Sequence, residues 1–151
     1  GGHNMAAGFT IKKENIKILD NFIQKDFLKK KHNTDYSNKY DLEVSSSAIN
    51  FEFVAEINKI GPFGNGNKLP IFFLKDFNII KTTILDNKHI SAILKSKSGL
   101  LIKSICFNCL NTKLSVYLLS YKKHINVIAE IHENIWNNKK TIQINIKDIL
   151  I

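Results

Sequence analysis

From Pro70 to the C-terminus, apolar residues recur at every second position. Ile142, Ile144 and Ile146 alternate with Gln143, Asn145 and Lys147, the cleanest such run. Ile125, Val127, Ala129 and Ile131 alternate with Asn126, Ile128, Glu130 and His132, and Ile90, Ala92 and Leu94 repeat the pattern. A period of two is that of a strand with one buried face, since successive side chains point to opposite sides of a sheet. Ile71–Leu85 forms a long strand-rich stretch, and Leu100 to Phe107 is strand-like around Lys103. Turn chemistry divides these runs at Asp86-Asn87-Lys88, Ser96–Gly99, Asn111–Lys113 and Asn137–Lys140.

Before Pro70 the period is different. Phe9, Thr10 and Ile11 read as a short strand, followed by a helix from about Lys13 to Lys31. Ile16, Leu19, Phe22, Ile23 and Phe27 share one face of that helix at 3–4 spacing. Residues 32–39 read as a loop or linker, and Tyr40–Val44 as a strand broken by three serines. A shorter helix is expected from about Asn50 to Lys59, with Phe53, Ile57 and Ile60 as its buried face. Gly61 is expected to cap it in the left-handed conformation. The predicted class is therefore α+β. About five strands with a basic surplus fit a small barrel, for which the five-stranded OB-fold is the best match.

With 151 residues, the chain can bury a core of one domain, or of one domain with part of another. No uncharged apolar run reaches the roughly 18 residues of a membrane span, and no signal segment opens the chain. No membrane association is predicted, and a cytoplasmic location is the default expectation. The net charge is +9, and all 22 basic residues are lysine. Lys, Asn and Ile share AT-rich codons, so genome composition is one source of this charge. Its distribution is more informative. Residues 1–60 hold 9 Lys against 8 acids, whereas residues 61–151 hold 13 Lys against 5. A polyanion such as nucleic acid is the partner this asymmetry predicts.

Cys106 and Cys109 form a C-x-x-C with no second pair, a weak zinc signal. They are read as reduced thiols of which one packs inside. The histidines (His3, His32, His89, His124 and His132) show no metal-ligand spacing. No metal site and no cofactor is predicted within this chain.

Gly1-Gly2-His3-Asn4-Met5-Ala6-Ala7-Gly8 has the look of a phosphate site. Glycine lets backbone N–H groups approach an anion, and histidine adds a hydrogen bond or charge. A tight turn with an exposed histidine is the alternative. Ala6, Ala7 and Gly8 read as small residues allowing close packing. A chain that begins inside such a loop is expected to be the C-terminal piece of a longer one. Gly61–Asn67 lacks the ending of a P-loop and follows a helix rather than a strand. It reads mainly as a structural joint, with nucleotide contact as the alternative.

Three segments together resemble the RecJ family of the DHH phosphoesterase superfamily. Gly1–Phe9 looks like the Gly-Gly-His, Ala-Ala-Gly signature of the DHH-associated substrate domain. Ile60–Pro70 is similar to the Pro-Phe-Gly-x-Gly-Asn stretch that leads into the family's OB domain. Asn134-Ile135-Trp136-Asn137 with Gln143–Ile149 looks like that barrel's closing hairpin. Asn137-Asn138 stands where the family tends to carry a glycine, a change that left-handed-tolerant Asn accommodates.

The resemblance implies three parts: residues 1–45 as the tail of the DHH-associated domain, 46–69 as a connecting helix and glycine-rich joint, and 70–151 as the OB-fold. It implies a parent that hydrolyses single-stranded DNA from 5′ to 3′ using Mn or Mg, with Gly1, Gly2 and His3 contacting the scissile phosphate opposite the metals. The Asp-His-His motif is not in this sequence, so the chain alone is expected to bind single-stranded DNA without cutting it. Single-strand-binding protein is a further partner in this reading.

OB-folds track phosphates with lysine and stack bases on aromatic rings. The candidates are Lys75, Lys81, Lys95, Lys97, Lys103, Tyr117, Tyr121, Lys122 and Lys123, each weighed against a solvated surface role. Trp136 reads as a hairpin-packing residue or a stacking platform, and Phe72, Phe73, Phe77 and Phe107 read as core. Two rival functions stand beside the nuclease reading: a stand-alone, non-enzymatic single-strand-binding OB module, and a barrel whose lysine face docks an acidic protein.

Overall fold

The computed structural model describes residues 2–3, 6–29, 39–120 and 124–151. The chain divides into two compact units, Gly1–Ser37 and Asn38–Ile151.

In the first unit, β1 (Gly2–His3) pairs antiparallel with β2 (Ala6–Ala7), joining Gly2 to Ala7 and His3 to Ala6. The strand expected at 9–11 is absent, and residues 8–12 carry no regular structure. Ala6 and Ala7 are exposed, and a Cβ at Gly8 would meet nothing within 4 Å. A 3-10 turn, Lys13–Asn15, opens α1 (Ile16–Lys29). Its predicted apolar face is largely uncovered: Ile16, Phe22 and Ile23 are exposed.

The second unit is built on a six-stranded sheet. Its strands are β3 (Leu42–Val44), β4 (Phe72–Leu85), β5 (His89–Ser96), β6 (Leu101–Cys106), β7 (Ile125–Trp136) and β8 (Lys139–Leu150). The order is β3-β4-β5-β6-β8-β7, and a further β4–β7 pairing returns to the start. Five strands therefore hydrogen-bond in a closed circuit. The sixth, β3, adds parallel to the beginning of β4 and matches Leu42 with Phe72. It is the strand expected at Tyr40–Val44, and Asp41 fastens it to the sheet: Asp41 N–H donates to the Ile71 carbonyl at 2.8 Å, and Asp41 Oδ2 accepts from Ile71 N–H at 2.8 Å.

β4 reaches so many partners because it changes direction. Asp76 adopts a left-handed φ of 59°, and the register against β7 slips between Leu74 and Phe77. A second slip against β5 falls between Ile79 and Lys81. Such bulges bend and twist a strand, which closure of a small sheet requires. Asn126 Oδ1 accepts the Asp76 N–H at 3.2 Å, and the Asp76 carbonyl accepts Lys97 N–H at 3.2 Å, so the bent backbone is satisfied.

The core lies inside the circuit. Leu74, Phe77, Ile90, Leu94, Ile125, Val127 and Ile144 are fully buried, each contributing ~1.5–3 kcal/mol of hydrophobic stabilisation. These are the inward positions of the period-two runs. Ser104 shares that face, and its hydroxyl donates to the Ala92 carbonyl at 2.9 Å. Phe72 and Phe77 are core as expected and Phe73 is half-buried, but Phe107 is 53% exposed because β6 ends at Cys106.

Helix α2 (Phe51–Lys59) is capped by Asn50, whose Oδ1 accepts Phe53 N–H at 2.8 Å. It buries Val54 and Ile57 and half-buries Phe53. The expected face was off by one position, since Ile60 is exposed. Gly61 does not take the left-handed conformation; a Cβ there would sit 3.1 Å from the Asn58 carbonyl, a tight contact. The joint beyond it is held by Asn67, whose Nδ2 donates to the carbonyls of Ile60 (2.8 Å) and Pro62 (3.2 Å). A third helix, α3 (Lys113–Leu119), fills the connection between β6 and β7, where only a turn was expected. Ser115 and Leu118 are its buried residues. Cys106 and Cys109 are both buried and free, rather than one, because the chain leaves the strand after Cys106 and folds Cys109 back, its Sγ 3.2 Å from the Cys106 carbonyl.

Candidate nucleic-acid interface

The alternation that buries one side of β4, β5 and β6 fixes what stands on the other. On β5, Ile90, Ala92, Leu94 and Ser96 face inward, so Ser91, Ile93 and Lys95 face out. On β6, Ile102, Ser104 and Cys106 face inward, leaving Leu101, Lys103 and Ile105 outward. The slip after Ile79 sets Lys81 and Thr83 on the same outward side of β4.

Register then assembles a row across four pairings. Lys81 is matched with Ile93, Ile93 with Lys103, Lys103 with Gln143, and Gln143 with His132. Neighbouring strands lie about 4.8 Å apart, so Lys81 and Lys103 are separated by roughly 10 Å across Ile93. Both line a shallow hollow of about 240 Å³ with Thr83, Ser91 and Ile93. Lys95 extends the row by one pair, opposite Leu101. Lys81, Lys95 and Lys103 are exposed and enter no ion pair among the described residues. They present uncompensated charge beside exposed apolar surface, the chemistry that suits a chain of phosphates carrying bases.

The other candidates lie elsewhere. Lys75 Nζ is 2.7 Å from Glu43 Oε1 and lies 5.6 Å from the centre of the Phe73 ring. The hydrogen bond to Glu43 raises its pKa, against the opposing effect of burial. Lys97 lines a separate hollow with Lys75, Glu43 and Asp76, where two carboxylates weaken the attraction for an anion. Tyr117 is half-buried on α3, in a hollow with Cys109, Lys113 and Asp148. Tyr121, Lys122 and Lys123 lie outside the described residues, as does Gly1. For Gly2 and His3 only the strand pairing with Ala7 and Ala6 is described, and for Trp136 only its pairing with Lys139.

Several residues on the interface side were not read as contacts in the sequence. Phe107 meets His89 edge-on, ring centres 5.3 Å apart and planes at 78°. His89 Nδ1 accepts Asn108 N–H at 2.8 Å. Beyond the row, Glu130 Oε2 accepts from Asn145 Nδ2 (3.1 Å) and lies 3.2 Å from His132 Nε2, and its Oε1 pairs with Lys147 at 2.9 Å. Burial alone would raise the Glu130 pKa, but the hydrogen bonds from Lys147 and His132 outweigh it and hold the carboxyl below its ordinary value. The signal for Phe107 was present in the sequence: with Ile102, Ser104 and Cys106 inward, position 107 falls outward.

Among the described residues, no three His, Cys, Asp or Glu side chains are grouped to hold a metal ion. Among the same residues, no helix is long and apolar enough to cross a membrane.

A strand circuit ordered β4-β5-β6-β8-β7, with helix α3 in the connection from β6 to β7, is the arrangement of an OB-type domain. Residues 40–148 match the family described as the RecJ OB domain. The chain belongs to the RecJ family through that domain. It is 27% identical over 162 aligned residues to the single-stranded-DNA-specific exonuclease RecJ of Bacillus subtilis, covering 100% of this chain and 19% of that protein. It is 33% identical over 138 residues to the enzyme of the same name from Haemophilus influenzae, covering 83% and 24%. The chain thus spans about a fifth to a quarter of the length of these relatives. Among solved structures it is similar to RecJ of Thermus thermophilus in complex with Mn2+, with 20% identity, a TM-score of 0.40, and coverage of 59% of this chain and 12% of that one.

Proposed function

We propose that this chain is the strand-gripping part of a RecJ-type, single-strand-specific DNA exonuclease. In this reading β4–β8 form the five-stranded OB barrel, and its outer lysine row tracks the phosphates of single-stranded DNA. The observation that carries it is the Lys81–Ile93–Lys103 row, two unpaired cations flanking an apolar residue on the outward side of the sheet. Lys95 extends the track, whereas Lys75 and Lys97 sit among carboxylates and contribute less.

The residues before the barrel are read as the tail of a DHH-associated domain, with Gly1, Gly2 and His3 touching a phosphate when the metal-bearing part of the enzyme faces them. The longer protein would hydrolyse single-stranded DNA from 5′ to 3′ with Mn or Mg, in cytoplasmic DNA repair and recombination, and meet single-strand-binding protein there. The chain alone binds without cutting.

Fluorescence anisotropy of a labelled single strand, titrated with the purified chain at rising salt, tests this. Binding at low salt is expected, with the logarithm of the affinity falling linearly by about 0.7 per phosphate neutralised. Salt-independent affinity, or no binding at low salt, would remove the phosphate track. Metal-dependent cleavage by the chain itself would contradict the division of labour.

A further inference from the structure

Next to the lysine row, the outward sides of β6, β7 and β8 enclose a second hollow of about 240 Å³. Ile105 and Phe107 supply its apolar surface, and His132, Asn134, Gln143 and Asn145 its polar surface. Phe107 is half exposed yet fixed in place: His89 meets its ring, and the His89 bond to Asn108 N–H ties down the backbone beside it. An exposed ring anchored in this way is available on one side for stacking.

The amides are oriented by bonds among themselves. Asn134 Nδ2 donates to Gln143 Oε1 at 3.0 Å, and Asn145 Nδ2 donates to Glu130 Oε2 at 3.1 Å. With oxygen and nitrogen assigned from this network, Gln143 Nε2, Asn134 Oδ1 and Asn145 Oδ1 remain uncommitted among the described residues. The hollow therefore offers one donor group and two acceptors beside a flat ring. Glu133 also lines it, and Glu130 stands behind Asn145. Lys140 pairs with Glu133 at 2.8 Å and Lys147 with Glu130 at 2.9 Å, and among the described residues no lysine lines the hollow, so it offers no free lysine charge to a phosphate. Lys103, the cross-strand neighbour of Gln143, stands at its border.

We propose that this hollow is a nucleobase subsite, in which an unpaired base of a bound single strand stacks on Phe107 and hydrogen-bonds to Gln143 and the adjacent asparagines. The base turns into the hollow while its phosphates stay on the lysine row. The inference rests on the reading of that row as a phosphate track.

The test compares two short single-stranded DNAs of equal length and charge, one intact and one with abasic positions, by anisotropy at low salt. The native chain is expected to bind the intact strand about tenfold more tightly, from loss of a single stacked base. Phe107→Ala, with its fold checked by circular dichroism, should bind both strands alike, near the abasic level. Gln143→Ala, which keeps the ring, should lose part of the difference, and it supplies the same test should Phe107→Ala not fold. Equal binding of both strands by the native chain overturns the subsite and leaves the phosphate track standing. Undiminished discrimination in folded Phe107→Ala also overturns it. Binding of neither strand at low salt overturns both.

Discussion

Glu130 and Lys147 face each other across the β7–β8 hairpin, Oε1 to Nζ at 2.9 Å, with the glutamate side chain 19% exposed. The bonds from Lys147 and His132 keep the Glu130 pKa below its ordinary value despite burial. A carboxylate depressed in the folded state adds stability that is fully present above its unfolded pKa and is lost as pH falls through the folded one. The Glu130 contribution should therefore persist at neutral pH and fade below the ordinary glutamate range. Glu130→Gln is expected to destabilise by about 0.5–1 kcal/mol at neutral pH. The gap between variant and native chain in urea unfolding should close in acid, and a gap independent of pH would rule out this account.

The lysines should not be equivalent. Lys103→Gln removes an unpaired cation from the outward row, so it should weaken single-strand binding and reduce the steepness of the salt dependence by about 0.7. Lys75→Gln removes a cation already engaged by Glu43 and should change both quantities much less. Equal effects from the two substitutions in one salt titration series would mean that binding follows net charge rather than this face.

Asn137 and Asn138 both take left-handed φ angles, 48° and 58°, in the turn that matches Trp136 with Lys139. Two consecutive residues at positive φ are the signature of a tight hairpin turn. Asn138→Gly should be neutral or slightly stabilising, whereas Asn138→Ala should cost roughly 1–2 kcal/mol. Thermal melting of the two variants separates these outcomes, and an alanine variant as stable as the glycine one would refute the conformational argument.

Burial, followed by contact with Cys109, pushes the Cys106 thiol well above the usual thiol range. The thiolate is the reactive form, so the folded chain should resist a thiol-alkylating reagent at neutral pH and react at both cysteines once unfolded. Mass spectrometry of native and denatured samples reads this directly. Rapid native labelling of Cys106 would show that the β6 end opens.

The barrel was legible in the sequence because a half-buried strand writes its two faces at a fixed period. The runs Ile142–Lys147 and Ile125–His132 announced which side would be core, and the structure buries Ile125, Val127, Ala129, Ile131, Ile144 and Ile146 and half-buries Ile142. Helix α3 was not legible. Lys113–Leu119 is too short to display a helical period, its buried face includes Ser115, and its Leu and Val content suits a strand equally well. The Phe107 assignment failed because an aromatic ring next to a strand was counted as core without following the alternation past Cys106. Strand β3 was legible from the alternation of Tyr40–Val44, but its place beside β4 was not, since that rests on a long-range tie from Asp41 to Ile71. The interface was half legible: lysine identities were visible, but only register distinguishes Lys81 and Lys103, which share a row, from Lys75, which answers Glu43.

The pairing of β4 with β7 carries a consequence for the order of assembly. The hairpins β4–β5, β5–β6 and β7–β8 are local, turning at Asp86-Asn87, Ser98-Gly99 and Asn137-Asn138, whereas Phe72↔Ala129 and the parallel contact Lys103↔Gln143 join distant parts of the chain. Contacts that close long loops come late, after the hairpins that make them worthwhile. During synthesis β6 and β7 each keep a bare edge until β8 has emerged from the ribosome. A chain released at Asn138 would hold that vulnerable state, and it should self-associate where the full chain does not.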